Sequence, residues 1–147
     1  MNIRTNKVLN PLKSKYFELY WDIAYAAATQ SVASRRKVGA CLVTPSGMIS
    51  IGWNGTPVGF SNACEVDNKT KPEVIHAERN AIDKMTRQGV STYGSLLFVT
   101  TSPCFECAKA IHGLGFKAIY YDDMYHCSSG IDFLKQTGVP VFQRGER

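Results

Sequence analysis

Residues 96–101 (LLFVTT) form a nearly unbroken apolar run. A strand with one wet face alternates apolar and polar residues, so a run without alternation calls for cover on both faces. Helices are therefore expected above and below this segment, with the strand itself in the middle of a sheet. The flanking sequence supplies such elements. Residues 103–115 (PCFECAKAIHGLG) carry helix signals at both ends: Ser102 as cap, Pro103 at the first helical position, and Gly113 or Gly115 as the stop. Residues 118–121 (AIYY) read as a strand, 129–136 as a helix, and 139–142 (VPVF) as a last short strand that Pro140 sends to an edge. Alternation of strand and helix implies parallel, right-handed crossovers.

Upstream, residues 14–30 place Phe17, Trp21, Ala24 and Ala28 on one helical face. Residues 38–43 (VGACLV) and 48–53 (MISIGW), joined by Pro45-Ser46-Gly47, read as an antiparallel hairpin. Residues 76–86 form a helix whose buried stripe is Ala77, Ala81, Ile82 and Met85. Between them, residues 54–72 are rich in glycine, proline and asparagine and read as a loop, of a length that is usually either functional or disordered. The expected order is α-β-β-α-β-α-β-α-β. It makes a three-layer α-β-α sandwich around a five-stranded mixed sheet, in one domain spanning 1–147.

Composition narrows the function classes. No apolar run approaches the ~18 residues of a membrane span, so no membrane partner is expected. The basic, polar opening stretch lacks the apolar core of a secretory signal. Five cysteines, an odd count, argue against a disulfide framework and for a reducing cytoplasm. The net charge of +5 suits anionic partners. The basic residues form no dense stripe of the kind that grips a nucleic-acid backbone, so nucleic acid is not expected.

The chemistry lies in two short patterns. Cys104 and Cys107 are three apart at a helix start, so both sulfurs share a face, and the helix N-terminus favours thiolates. His76 and Glu78 begin the preceding helix. Within a regular helix, i and i+2 point to nearly opposite sides. The two residues can therefore share a site only at the helix start. Taken singly, Cys-x-x-Cys also suits a redox pair, and His-x-Glu an ordinary helix start. Together they bring one imidazole and two thiolates to one edge of a sheet. Three protein ligands make a zinc site of the catalytic type, with one position open, whereas four would make a structural one. The pattern H-x-E…P-C-x-x-C is that of zinc nucleobase deaminases, in which the glutamate moves protons and does not bind metal. His76, Cys104 and Cys107 are therefore the expected ligands of one Zn2+ per chain, and Glu78 the catalytic acid/base.

The stretches VGACLV, IGWNGTPVGF, HAERNAI, TTSPCFECAKAI and YYDDMYHCSSGIDFLKQTGVPV, together spanning most of residues 34–142, resemble the deoxycytidylate (dCMP) deaminases of the cytidine and deoxycytidylate deaminase superfamily. The resemblance implies a cytidine-deaminase-like fold and hydrolysis of dCMP to dUMP and ammonia, supplying dUMP for dTMP synthesis. It implies contacts to substrate from Asn54, from the backbone carbonyl of Ser102 and from Tyr125, which would pack on the base or reach the phosphate. Arg35 and Arg36 offer forked donors for phosphate. The family is commonly hexameric, activated by dCTP with Mg2+ and inhibited by dTTP. Gly55, Thr56 and Arg35 would then border the effector site, and Arg87 would meet a neighbouring subunit. Some phage members carry a second, structural zinc. Cys41 and Cys64 are the cysteines that could serve it, but Val74 stands where a ligand would precede His76 by two residues and Cys41 reads as core, so one zinc is expected. Two alternatives remain open at this level: a tRNA adenosine deaminase, which shares the zinc pattern, and a non-catalytic zinc module that binds a nucleotide. The sequence does not rank dCMP against dCTP as substrate.

Overall fold

The computed structural model describes residues 14–145. The basic opening stretch and both ends of the 1–147 expectation lie outside the described residues. Helix α1 (Ser14–Ala28) is followed by strands β1 (Gly39–Val43) and β2 (Ile49–Trp53), then by two short strands, β3 (Glu65–Val66) and β4 (Lys69–Thr70). Helix α2 (Ala77–Arg87), β5 (Leu96–Thr101), α3 (Phe105–Leu114), β6 (Ala118–Asp123), α4 (Ser129–Gln136) and β7 (Val141–Gln143) complete the order. The main sheet runs β2-β1-β5-β6-β7. β1 is antiparallel to β2 and β5, while β6 is parallel to β5 and β7. The sheet is thus five-stranded and mixed, with β5 at its centre and β7 at an edge, as the sequence predicts.

Side-chain alternation along the central strands divides the core. Leu97 and Val99 point with Ala40, Leu42 and Ile119 toward the face covered by α2, α3 and α4. Phe98 points the other way with Cys41 and Tyr120, against Trp21 and Ala24 of α1. On that side Phe98 stacks on Tyr120 at 4.6 Å and meets the edge of Trp21 at 5.4 Å. Both faces of β5 are buried, which is why its sequence shows no alternation.

Two expectations need correction. The segment 54–72 is not a plain loop: β3 and β4 pair antiparallel within it, Glu65 opposite Thr70. Asp67 (φ 53°) and Asn68 (φ 61°) turn the hairpin in the left-handed region, the pattern of a two-residue type I′ turn. Helix α3 does not start at Pro103 with Ser102 as cap; it starts at Phe105 with Cys104 in the cap position.

The outer edge of β2 would expose a row of backbone groups, a liability for any sheet. Here α2 covers it: Lys84 Nζ donates to the Ile51 carbonyl at 2.7 Å and Asn80 Nδ2 to the Trp53 carbonyl at 2.8 Å. From the strand, the Ser50 hydroxyl donates to the Ala81 carbonyl at 2.8 Å. The approach is close enough that a Cβ on Gly52 would lie 2.2 Å from the Ala77 carbonyl oxygen. The start of α2 is thereby fixed to the sheet.

Candidate active site

The difficulty of placing His76 and Glu78 in one site is resolved by the helix start itself. His76 is the cap of α2, with extended backbone (φ −72°, ψ 157°), and Glu78 lies in the first turn. Cys104 repeats this geometry on α3 (φ −74°, ψ 172°), with Cys107 in the first turn. In both caps the carbonyl accepts the first helical bond, from Asn80 N–H at 3.0 Å and from Ala108 N–H at 2.9 Å. Neither side chain is used for capping. Both are free to turn sideways and meet.

They do meet. His76 Nδ1 lies 3.5 Å from Cys104 Sγ and 3.4 Å from Cys107 Sγ. Among the described residues this is the group of His, Cys, Asp and Glu whose ligand atoms, all within 4.8 Å of one another, could hold a metal ion. One imidazole nitrogen and two sulfurs form a donor set suited to zinc. The electrostatics divide the two sulfurs. The hydrogen bond from Cys107 holds the Cys104 thiol down at about 3, whereas that same bond and burial push Cys107 up. Its bond with Cys104 raises His76. Negative charge is thus favoured on the Cys104 sulfur, beside the His76 imidazole.

Gly130, on α4, closes the arrangement from behind. A Cβ there would lie 2.2 Å from the Pro103 carbonyl oxygen and 2.8 Å from that of Cys104, so only glycine lets α4 pack onto the cysteine turn. Sequence reasoning missed this residue.

The cluster opens on a cavity of about 590 Å³. Glu78, 4% exposed, reaches its floor, and burial pushes its carboxyl up to about 7. Asn54, Ser102, Tyr125, Arg35 and Arg36 line the walls and mouth. Each has further partners. Asn54 Oδ1 accepts from Val38 N–H and its Nδ2 donates to the Arg36 carbonyl, both at 2.9 Å; one donor and one lone pair are left over. The Ser102 hydroxyl accepts from Tyr125 N–H at 2.7 Å and donates to Met124 Sδ at 3.5 Å, so its side chain anchors the loop carrying Tyr125. The Tyr125 ring packs on His126 at 4.0 Å. Arg36 Nη1 reaches the Thr101 hydroxyl at 3.5 Å.

Gly55 and Thr56 do not line this cavity. Gly55 forms an antiparallel bridge with Ile75, the residue before His76, and the Thr56 hydroxyl donates to the Ser61 carbonyl at 2.8 Å. Arg87 is exposed at the end of α2, far along the helix from His76. Cys41 is fully buried in β1, where burial pushes its thiol up to about 12, as befits a core residue. The cavity also takes in Glu65, Lys69 and Thr70 of the unexpected hairpin, and His126. No motif marked these.

Residues 14–122 match the model of the cytidine and deoxycytidylate deaminase zinc-binding region. The chain is 34% identical over 125 residues to ComE operon protein 2 of Bacillus subtilis, covering 82% of this chain and 66% of that protein, just under two thirds. It is 30% identical over 164 residues to the deoxycytidylate deaminase of Enterobacteria phage T4, covering 82% of this chain and 85% of the phage protein. The crystal structure of the dCMP deaminase from cyanophage S-TIM5, in complex with dCMP and dUMP, superposes with a TM-score of 0.86 at 44% identity, over 90% of this chain and 98% of that one. A cap histidine and a cap cysteine converging beside a buried glutamate, with a matching family model over most of the chain, place this protein in the cytidine and deoxycytidylate deaminase zinc-binding family.

Proposed function

We propose that the chain hydrolyses dCMP to dUMP and ammonia. The reading is carried by one observation: a single cavity is lined by His76 and Cys104 of the metal cluster, by buried Glu78 and by the exposed Arg35 and Arg36. The cluster with Glu78 suits hydrolysis of an amidine carbon–nitrogen bond, and the two arginines suit a phosphate. The cyanophage S-TIM5 relative, crystallised with dCMP and dUMP, supports the substrate.

His76, Cys104 and Cys107 would hold one Zn2+. When bound, zinc supplies Lewis-acid chemistry that makes water acidic near neutral pH. Glu78 does the proton work: its carboxylate takes a proton from the attacking water, gives one to the ring nitrogen and then helps ammonia leave. Asn54 offers its spare donor and lone pair to the sugar. The Ser102 backbone carbonyl faces the leaving amino group, and Tyr125 packs over the base. Arg36 receives the phosphate.

Several wider properties belong to this reading. The product supplies dTMP synthesis in the cytoplasm, where five free cysteines are at home. No described helix is long and apolar enough to cross a membrane. Residues 1–147 act as one deaminase domain. Gly55 and Thr56 border an effector site for dCTP, with Mg2+, and for dTTP, and Arg35 is shared between that site and the substrate cavity. Chains self-associate as hexamers: Val58 (104% exposed) and Phe60 (54%) stand bare on the loop after Thr56, and such apolar side chains favour burial against a partner. Arg87 is the further candidate for a subunit contact.

Ammonia release from dCMP, cytidine and an RNA hairpin, with and without dCTP-Mg2+ or dTTP, beside a zinc count per chain, tests the whole. The expected result is release from dCMP above the others with one zinc per chain. Preference for the hairpin would point to tRNA adenosine deamination. A zinc-replete chain inactive on all three would point to a non-catalytic module.

A further inference from the structure

The mouth of the cavity contains a carboxylate where an anion is expected to bind. Glu65 lines the same space as Arg35, Arg36 and Lys69. Its negative charge, which hydrogen bonding does not remove, opposes phosphate there, so its presence calls for another role. The carboxylate is used on the backbone. Its Oε1 accepts from Ser34 N–H at 3.2 Å and from the Ser34 hydroxyl at 3.0 Å. Its Oε2 accepts from Ser34 N–H and Arg35 N–H, both at 3.1 Å. Those bonds, the Arg35 N–H foremost, hold its carboxyl below the usual range. Thr70, opposite Glu65 across the hairpin, accepts from Arg35 Nη1 at 3.5 Å. From the other side Asn54 clamps the Arg36 carbonyl and Val38 N–H. The segment bearing two adjacent cations is thus tied at both ends to residues distant in sequence.

We propose that Glu65 is a positioning residue for phosphate recognition: its carboxylate fixes the backbone of Ser34 and Arg35 so that Arg35 and Arg36 meet the phosphate of the substrate as a preset pair. The proposal rests on the dCMP reading. It extends that reading to the β3–β4 hairpin, which holds the phosphate end through Glu65 without touching the reacting ring.

Steady-state kinetics on dCMP test it, with Glu65→Gln and Glu65→Asp made in the wild type and in an Arg35→Met, Arg36→Met background. Glu65→Gln should raise KM ~10-fold with kcat within about twofold, because it removes ground-state recognition and leaves the chemistry alone. Glu65→Asp, which keeps the charge, should recover most of that loss. In the double-methionine background Glu65→Gln should add nothing, since residues that act through one another are not additive. Zinc content and melting temperature should hold. Should Glu65→Gln fold poorly, Ser34→Ala, which removes one of the four bonds, should still raise KM ~2-fold or more. An unchanged KM in the folded variants, a fall in kcat as large as the rise in KM, or an equal effect without the two arginines overturns the proposal. Turnover of dCMP by the wild type is measured first, so failure of the substrate reading shows before any variant is compared.

Discussion

The two ends of the cavity are built by different means. At the floor, His76 and Cys104 are helix caps, and each helix start is pressed onto a neighbour through a glycine, Gly52 beneath Ala77 and Gly130 beneath Pro103 and Cys104. Backbone geometry alone aims these side chains. At the mouth, Arg35 and Arg36 are exposed on a connecting segment that is held by side-chain hydrogen bonds from Glu65 and Asn54. The contrast fits the work that the proposed function gives each group of residues. Bond-making chemistry needs groups held to fractions of an ångström on rigid elements, while a phosphate can be met by cations on a connecting segment whose backbone is pinned by side chains.

Breaking the floor should therefore abolish function, and breaking the mouth should weaken recognition. The largest effect is expected from Cys104→Ser. Outer-shell partners of a metal are already worth ~10–100-fold, so removal of a ligand should cost more than ~100-fold in both zinc retention and turnover. Metal analysis and dCMP kinetics on one preparation check this. Gly130→Val comes next. Its Cβ would overlap two carbonyl oxygens, and the forced separation of α4 from the cysteine turn should cost roughly 3 kcal/mol or more. Urea denaturation measures the loss, and zinc affinity should fall with it. A stable, zinc-replete Gly130→Val protein would show that the floor does not depend on that contact. Arg36→Met should be mildest: KM for dCMP up by ~10–100-fold with kcat, zinc and stability little changed, the range expected for loss of charge-assisted bonds. A collapse of kcat in this variant would erase the distinction between the two ends.

The same contrast explains what could be read from the sequence. The order of the main elements was legible because Leu96–Thr101 lacks alternation and the helices repeat their apolar residues at helical spacing. The metal cluster was legible because zinc chemistry restricts residue type and spacing to a few patterns. The start of α3 was misread by two residues: Ser102 and Pro103 are a good cap and first residue in isolation, but the chain delays the helix so that Cys104 can turn inward. The β3–β4 hairpin was missed because its strands are two residues each and its turn is Asp67-Asn68, without the glycine that usually marks one. Glu65 was missed with it. Nothing local distinguishes a carboxylate that will bond the backbone of Ser34 and Arg35, some thirty residues away, from any solvated glutamate. Gly55, expected at an effector site, bridges to Ile75 and so steadies the approach to His76, a pairing that periodicity does not reveal.

The central claim is that His76, Cys104 and Cys107 hold the metal while Glu78, beside them and buried, moves the protons. Zinc content and dCMP turnover of Glu78→Gln, measured together, test it most directly. The account predicts about one zinc per chain, as in the wild type, with turnover down by ~10²–10⁴-fold, the usual contribution of a general acid–base. Wild-type turnover in that variant, or a loss of zinc that accounts for its inactivity, would contradict it.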